Sequence, residues 1–374
     1  MDARGLTRRW FAAAVILGSA CLLTVGAVMA AKAEAGGRID VLEMPARLSD
    51  QAKSAVLNAV ALAGQRVVAV GEMGIILLSD DNGQTWRQAK AVPTSVTLTN
   101  VRFATGSTGW AVGHSGVVLK TTDSGESWVR QLDGRQVAQI ELVAADAAMQ
   151  SNAETGARRQ RDAQRMVTEG ADKPFLDVYF FDEQNGLVVG AYGLIFGTRD
   201  GGKTWASQLG LVDNPKSRHL YHLAVAGNEL LMTGEQGALY RVSEVGQRVT
   251  ALPSPYAGTL FGALAAPGGN TVVFGLRGNA FVSPDQGGSW TKVDFGPPVT
   301  LTAGTRMRDG RWVVADETGR VLVSRNGGGQ FVNPAVPKMN AATGVVEAAD
   351  GSLVLSTQHG AVRVAASALN SEQK

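Results

Sequence analysis

The chain has 374 residues, of which 45% are hydrophobic and 18% charged, so it can bury a large core and is not of the disordered class. Its 35 basic residues nearly balance its 33 acidic ones, which excludes strong electrostatic recruitment to nucleic acid or to an anionic membrane surface. Glycine is enriched, at 46 residues, but shows no Gly-X-Y period, so the composition indicates many turns and excludes collagen.

The N-terminal segment predicts export. Three arginines precede an apolar run at residues 10–31, and small-x-small cleavage sites follow, so residues 1–33 are expected to be a signal peptide. The twin-arginine and general secretory routes both remain open, and the run is also long enough for an uncleaved membrane anchor. In each case the rest of the chain is periplasmic or secreted. The one cysteine, Cys21, lies in this segment, so the mature protein has no disulfide or thiolate chemistry.

Seven copies of a strand, a tight turn ending in glycine and a second strand follow. Consecutive turn glycines lie 41 to 44 residues apart, except for one interval of 77 residues. This spacing predicts seven equivalent structural units and one insertion. The turn glycines are Gly74, Gly116, Gly193, Gly237, Gly278, Gly319 and Gly360.

A second motif, Ser/Thr-x-Asp-x-Gly-x-Thr/Ser-Trp, begins about five residues after each turn glycine and is degenerate in the fourth, sixth and seventh units. We expect its Asp to accept hydrogen bonds from nearby backbone N–H groups and its Trp to pack between neighbouring sheets. The motif is therefore interpreted as a structural Asp box without chemistry. Its best-preserved positions are Asp81, Trp86, Asp123, Trp128, Asp200, Trp205, Asp285 and Trp290.

Each unit of about 41 residues contains four short strand candidates, as a propeller blade does. In the second unit they cover residues 98–104, 109–113, 117–122 and 127–132. The chain is therefore predicted to be all-β, with a seven-bladed β-propeller over residues 38–369. The last unit has only three strands, and residues 38–42 are expected to supply the fourth and close the ring.

The long interval predicts a helical insertion at residues 133–172, between blades two and three. Residues 138–150 and 157–168 have helix-forming composition, as a helical hairpin or one bent helix. A solvated decoration that packs on the propeller and a docking arm for a partner both remain open. The first helix is expected to pack through Ile140, Val143 and Ala147, and the second carries a basic stripe of Arg158, Arg159, Arg161 and Arg165.

These motifs carry a family resemblance. The Asp boxes, also called BNR repeats, are similar in spacing to those of sialidases and other secreted propellers. Together with Val-Gly-x-x-Gly-like turns, as at 70–74, 112–116 and 189–193, they make the chain resemble the photosystem II stability/assembly factor family over about residues 38–366. The resemblance implies an exported, non-enzymatic protein that helps to assemble membrane protein complexes.

A sialidase-like enzyme would need an arginine cluster, a tyrosine activated by a glutamate, and a separate acid. The chain has seven units instead of six and lacks a Phe-Arg-Ile-Pro-type motif. The candidate arginines are Arg277, Arg306 and Arg308, and the candidate tyrosines are Tyr179, Tyr192 and Tyr221. A shared metal site at His219 and His222 is not expected, because residues three apart on a strand point to opposite faces.

Strand order predicts which loops share a face. The turn between the second and third strands of a blade lies on the same side as the connection to the next blade, and we call this side the turn face. Its non-repeating residues, and the basic stripe of the insertion, are the candidate partner-binding residues. On the turns these are Glu72, His114, Tyr192, Glu235, Arg277, Glu317 and His359.

We therefore predict an exported, non-catalytic scaffold that binds an envelope or membrane protein, with no cofactor, metal, nucleic acid or small-molecule substrate. The alternative is a secreted sialidase-like glycosidase or carbohydrate-binding propeller. That alternative predicts several aromatic side chains on the turn face, where the sequence identifies mainly Tyr192.

Overall fold

The computed structural model describes residues 40–243, 245–266, 269–324 and 330–370, apart from the side chains of 154 and 155. The predicted signal peptide and cleavage sites lie outside the described residues. Within the described residues, seven separate antiparallel sheets are present, six with four strands and one with three. No helix in this part of the chain is long and apolar enough to cross a membrane.

The strands follow each other in sequence order within every sheet. Blade one contains β1 Leu57–Ala63, β2 Arg66–Gly71, β3 Ile76–Ser79 and β4 Arg87–Gln88; blade two contains β5 Leu98–Phe103, β6 Gly109–Gly113, β7 Val118–Thr121 and β8 Val129–Leu132. Blade three contains β9 Phe175–Phe180, β10 Gly186–Gly190, β11 Ile195–Thr198 and β12 Ala206–Ser207; blade four contains β13 Leu220–Ala226, β14 Glu229–Gly234, β15 Leu239–Ser243 and β16 Arg248–Ala251. Blade five contains β17 Leu260–Ala265, β18 Thr271–Gly275, β19 Ala280–Ser283 and β20 Thr291–Val293; blade six contains β21 Leu301–Arg306, β22 Trp312–Asp316, β23 Val321–Ser324 and β24 Phe331–Val332; blade seven contains β25 Ala342–Glu347, β26 Leu353–Thr357 and β27 Gly360–Val364.

The first strand of each blade lies innermost. Each of these strands contacts the first strand of the next blade, and β25 of blade seven contacts β1 of blade one. The seven sheets therefore close into a ring, as the sequence repeat predicts. The central strands are buried on both faces, since β2 reads Arg-Val-Val-Ala-Val-Gly and buries all but its first residue.

The hydrophobic core is divided into seven clusters, each shared by two neighbouring blades. The cluster between blades two and three, for example, contains Trp110 and Phe180, whose rings stack with 3.4 Å between centroids. Trp128 and Trp205 of the Asp boxes are buried in the interface with the preceding blade. Each blade thus depends on both neighbours for its apolar contacts.

The Asp box of blade one has the expected local geometry. The Asp81 carboxylate accepts hydrogen bonds from the Thr85 amide (2.8 Å), the Thr85 hydroxyl (2.6 Å) and the Ser79 hydroxyl (2.7 Å). Gly83 has a φ of 85°, and its carbonyl oxygen accepts from the indole N–H of Trp86 at 3.2 Å. The carboxylate bonds recur at Asp123, Asp200 and Asp285. The indole bond recurs at Trp128 but not at Trp205 or Trp290, whose indole N–H groups have no hydrogen-bond partner among the described residues.

These boxes predict an acid-sensitive ring. The pKa of Asp81 is lowered to about 2, first by the Thr85 hydroxyl, and that of Asp285 to about 2, first by the Ser289 amide. A carboxyl group whose pKa is lower in the folded than in the unfolded chain (about 3.9) stabilises the fold above pH ~4, and this contribution is lost as the pH falls towards ~2. We expect the midpoint of thermal unfolding to fall over this interval in calorimetry. The fall should be smaller in an Asp81→Asn/Asp285→Asn variant, and an identical fall would contradict this explanation.

All seven turn glycines have positive φ values, between 63° and 82°. In five turns the residue before the glycine is also left-handed, for example Met73 at 53° and Tyr192 at 57°. A Cβ atom on Gly74 would lie 2.1 Å from the carbonyl oxygen of Thr94, so the turn also packs too closely for a side chain. The predicted repeat is therefore enforced by backbone geometry.

The predicted closing strand at 38–42 was wrong in its described part. Residues 41–44 form a turn, and Leu42 is buried between blades one and two, whose apolar contacts stabilise it there. Residues 50–55 instead contact the start of β27, where the amide of Gly360 donates to the carbonyl oxygen of Ala55 at 2.9 Å. The ring is therefore closed by the contact of β25 with β1, and blade seven has three strands among the described residues.

Two helices, α1 (Gly134–Ser151) and α2 (Ala153–Glu169), occupy the connection between blades two and three. Asp133 caps α1 through the amides of Arg135 and Gln136. The helices form an antiparallel hairpin that turns at Asn152, and α2 approaches closely enough that a Cβ atom on Gly156 would lie 2.3 Å from the Cα atom of Met149.

The predicted apolar stripe of α1 was wrong. Val143 is 70% exposed and Ala147 is also exposed, while Ile140 is partly buried. The buried face instead contains Val137, Ala138, Glu141 and Ala145. Its central residue is a carboxylate, which an apolar pattern does not detect.

Candidate functional site

The seven inner strands enclose a cavity of about 1300 Å³ along the axis of the ring. This exceeds the ~300–1,000 Å³ typical of small-molecule pockets. Residues of the turn face, including His114 and Glu317, line it, as do Arg306 and Arg308 near the other end. The lining therefore connects the turn face with the interior of the ring.

The second residue of each inner strand lines this cavity, and we call these seven residues the inner ring. In four consecutive blades it is an Asn or Thr that donates to the carbonyl oxygen of the first inner-strand residue in the next blade. The four bonds are 2.7 to 2.8 Å long and tie blades six, seven, one, two and three together. The donors of this polar arc are Thr302, Thr343, Asn58 and Thr99.

The other three inner-ring residues are Leu176, Tyr221 and Phe261, in blades three, four and five. We call them the apolar arc. The side chains of Leu176 and Phe261 have no hydrogen-bonding group, and Tyr221 has only its phenolic hydroxyl. All three residues are half-buried. The cavity wall is therefore chemically divided, with a self-paired polar side and an apolar side.

An aromatic row extends the apolar arc onto the turn face. Phe261 meets Tyr221 edge-to-face at 5.2 Å, Tyr221 meets His219 at 6.1 Å, and His219 meets Tyr192 at 5.1 Å. Tyr192 is 55% exposed and lies 5.6 Å from the ammonium group of Lys173. The row thus leads from the surface beside the helical hairpin into the cavity.

A buried ionic network centred on Asp177 lies behind the apolar arc. Asp177, which is completely buried, accepts from Asn100 at 2.8 Å and from Arg102 at 3.2 Å, and lies 3.0 Å from Nδ1 of His222. Burial acts to raise the pKa of Asp177, but the attraction of Arg102 and the hydrogen bond from His222 outweigh it, so the pKa is lowered. The ionised carboxylate holds blades two, three and four together and orients Arg102 towards the cavity.

Three predicted turn-face residues have a backbone role. Glu72 accepts from the amide of Val56 at 2.9 Å, Glu235 from His219 at 3.2 Å and Glu317 from Thr300 at 3.0 Å. Each glutamate thus fixes the residue immediately before the inner strand of its own blade. Their carboxylates are partly engaged inside the protein, although Glu317 also lines the cavity.

The other four predicted turn residues present their side chains differently. His114 lines the cavity and Tyr192 begins the aromatic row. Arg277 is exposed in a left-handed conformation with a φ of 57°. His359 is exposed on blade seven, with Nδ1 2.7 Å from the carbonyl oxygen of Gln358. Only the first two therefore lie along the route from the surface to the cavity.

The basic stripe of α2 is divided by the structure. Arg159 binds the buried carboxylate of Glu141 with two hydrogen bonds, of 2.7 and 3.0 Å. Arg158 donates to the carbonyl oxygen of Pro215 at 2.8 Å but remains exposed. Arg161 and Arg165 are exposed and therefore accessible to a partner.

The arrangement differs from that of a sialidase-like site. Burial, and secondly Glu235, raise the pKa of Tyr221, which is the opposite of the activation that a phenolate nucleophile needs. Burial also raises the pKa of Tyr179. Arg308 pairs with Glu347 at 3.3 Å, and Arg277 lies on an exposed turn.

His219, Tyr221 and Phe261 were not predicted to be turn-face aromatics. A signal was present, since His219 and Tyr221 alternate along one strand and thus share a face. Asp177 was also missed, because it carries no motif and its partners come from two other blades.

Comparison with known proteins identifies related folds. The family model of the photosynthesis system II assembly factor YCF48 matches residues 157–249. No curated protein sequence is significantly similar to the chain. A solved structure described as YCF48 bound to D1 peptide has a TM-score of 0.61 at 16% identity, covering 86% of this chain and 96% of that one.

Two further structures have the same fold. YCF48 from Cyanidioschyzon merolae has a TM-score of 0.59 at 12% identity, covering 86% of this chain and 98% of its own. The WD40 β-propeller domain of Doa1 has a TM-score of 0.59 at 11% identity, covering 86% and 95%. The resemblance to the photosystem II assembly factor family that the sequence indicates is confirmed, and so is the propeller fold.

Proposed function

We propose that this protein is an exported, non-catalytic propeller that binds a membrane or envelope protein and serves as a scaffold in its assembly. The observation that carries the proposal is the divided cavity, whose apolar arc continues as an aromatic row onto the turn face. Such a surface combines apolar anchors with fixed polar groups, as protein-recognition sites do.

The similarity to YCF48 supports this proposal. A YCF48 structure is described as bound to D1 peptide, so a propeller of this fold accommodates a peptide. Export of this chain rests on its N-terminal sequence, and it would place the ring beside the outer surface of the cytoplasmic membrane. The scaffold needs no cofactor, since shape and the lining side chains supply the recognition.

A carbohydrate-binding propeller is the second candidate, and one observation favours it. The structure has four aromatic rings in the row where the sequence analysis identified mainly Tyr192. Sugar rings bind best to the open face of an aromatic ring. Here successive rings meet edge-to-face, with 60° to 65° between planes, so they form concave corners instead of a flat platform.

The hairpin can be removed to test partner binding. The Cβ position of Gly134 lies 2.8 Å from the Cα atom of Ala171, so the two ends of the hairpin meet and a short glycine-serine linker can replace residues 135–169. Affinity capture from detergent-solubilised membranes, with the intact chain and this variant, should recover one membrane protein saturably with the intact chain. If the hairpin is a docking arm, recovery should fall about tenfold in the variant.

Two outcomes would decide against parts of this proposal. Unchanged recovery with the variant would remove the docking-arm function of the hairpin and leave the cavity as the site. Failure to recover any membrane protein, together with turnover of fluorogenic glycosides that persists after purification to homogeneity, would replace the scaffold by the carbohydrate-active alternative.

A further inference from the structure

We propose that the cavity mouth beside blades three to five binds an extended peptide segment in which a bulky apolar side chain and an acidic one are separated by a single residue. The inference rests on the proposed function and names the element of the partner that is recognised. The apolar side chain would occupy the apolar arc, and the carboxylate would bind Arg102.

The inner ring is divided into a polar arc and an apolar arc, and this division indicates where an apolar group of the ligand would bind. In the polar arc each Asn or Thr side chain already donates to the next blade, so the threonine hydroxyls have no proton left to donate to a ligand carboxylate or carbonyl group. Leu176, Tyr221 and Phe261 instead expose apolar surface to the cavity. A ligand that displaces water there gains most by burying an apolar group.

The aromatic geometry selects the kind of group. The rings of Tyr221 and Phe261 contact each other at 65° with centroids 5.2 Å apart, so their planes form a concave corner. A single bulky side chain can contact both rings in such a corner. The edge-to-face arrangement is less suited to a flat sugar ring.

Arg102 supplies the acidic preference. Its Nη2 donates to Asp177 and, at 3.1 Å, to the carbonyl oxygen of Leu223, while Nε and Nη1 bind no atom of the described residues. Its side chain is 29% exposed and lines the cavity. Because Asp177 already balances the charge of Arg102, the preference for an acidic group rests on these N–H donors and not on an excess of positive charge in the cavity.

The spacing follows from the strand itself. Leu223, against which the guanidinium of Arg102 lies, is two residues beyond Tyr221 on β13. A β-bulge between Leu220 and His222 shortens the step along β13, so Leu223 lies no further along the strand than two regular residues would place it. In an extended ligand, the side chains of residues two positions apart project to one side about 6.6 Å apart. When an apolar residue occupies the arc, the ligand residue two positions further into the cavity therefore lies near Arg102.

The test uses fluorescein-labelled dodecapeptides in a glycine-serine background. Each carries one Trp, with a Glu one, two or three residues before or after it, or with Gln in place of Glu. Fluorescence anisotropy titrations with the purified protein should give the tightest binding at a spacing of two, and about tenfold weaker binding when Glu is replaced by Gln. Equal binding at every spacing, or a preference for neutral oligosaccharides in competition, would overturn the inference.

Variants identify the site. Tyr221→Ala should weaken binding of the best peptide about 30-fold and Tyr221→Phe little, since the ring provides the contact. Arg102→Lys keeps a positive charge beside Asp177 but removes the planar fork, and it should abolish the preference for Glu over Gln. His359→Ala, on the turn face of blade seven, is the matched control and should have no effect.

The outcome separates this inference from the proposed function. If Tyr221→Ala leaves both peptide binding and membrane-protein recovery unchanged, the inference is wrong while the scaffold proposal stands. If no variant and no intact chain recovers a membrane protein, the proposed function fails irrespective of the peptide result. Thermal unfolding of each variant shows whether the fold is retained.

Discussion

Replacing Asp177 by alanine is expected to lower the free energy of unfolding by about 3–5 kcal/mol. Asp177 is completely buried and accepts hydrogen bonds from side chains of blade two and from the amide of Leu223, at 2.8 Å, in blade four. Its removal leaves the partly buried Arg102 without its counter-charge and His222 without its hydrogen-bond acceptor. Urea unfolding of the purified protein measures the effect.

Asp309→Ala is a suitable control for this experiment. Asp309 pairs with Arg311 at 2.7 Å, but its side chain is 49% exposed, so this ion pair is expected to contribute less than about 1 kcal/mol. A loss in Asp177→Ala no larger than in the control would show that the network is not what holds blades two to four together. Asp177→Asn should be intermediate, since it keeps one hydrogen-bond acceptor.

The fold could be predicted because its determinants are local and repeated. The turn glycines require positive φ values wherever they occur, and each Asp box closes its own loop with residues no more than four positions away. Seven copies of the same glycine turn therefore imply seven blades. The place of the N-terminal segment could not be predicted in this way, since the position of Leu42 is decided by a contact with blades one and two that has no local signal.

The site could be predicted only in part, because its residues break the repeat. Aligning the first strands would have shown Asn, Thr, Leu, Tyr, Phe, Thr and Thr at the inner-ring position, so the apolar arc was visible in the sequence. The role of Asp177 was not, because its partners Asn100, Arg102 and His222 lie in two other blades. Contacts between blades depend on the curvature of the ring, which no single repeat encodes.

The interface between the helical hairpin and blade three contains a buried ion pair, formed by Glu141 and Arg159. Glu141→Ala is expected to lower the free energy of unfolding by about 3 kcal/mol, because Arg159 and the hydroxyl of Ser207, both engaged by the buried carboxylate, lose their partner. We take the lower end of the range since the side chain of Arg159 is 23% exposed and is partly solvated. Urea unfolding and limited proteolysis of the hairpin measure the loss.

The double variant Glu141→Leu/Arg159→Met should recover stability to within about 1 kcal/mol of the unaltered protein, because it removes both charges and keeps the volume. Equal instability of the single and double variants would show that the ion pair itself stabilises the docked hairpin. The double variant also separates structure from recognition. Since both side chains face Ser207 of blade three and not a partner, recovery of the membrane protein should be unchanged even if the exposed Arg161 and Arg165 are needed for it.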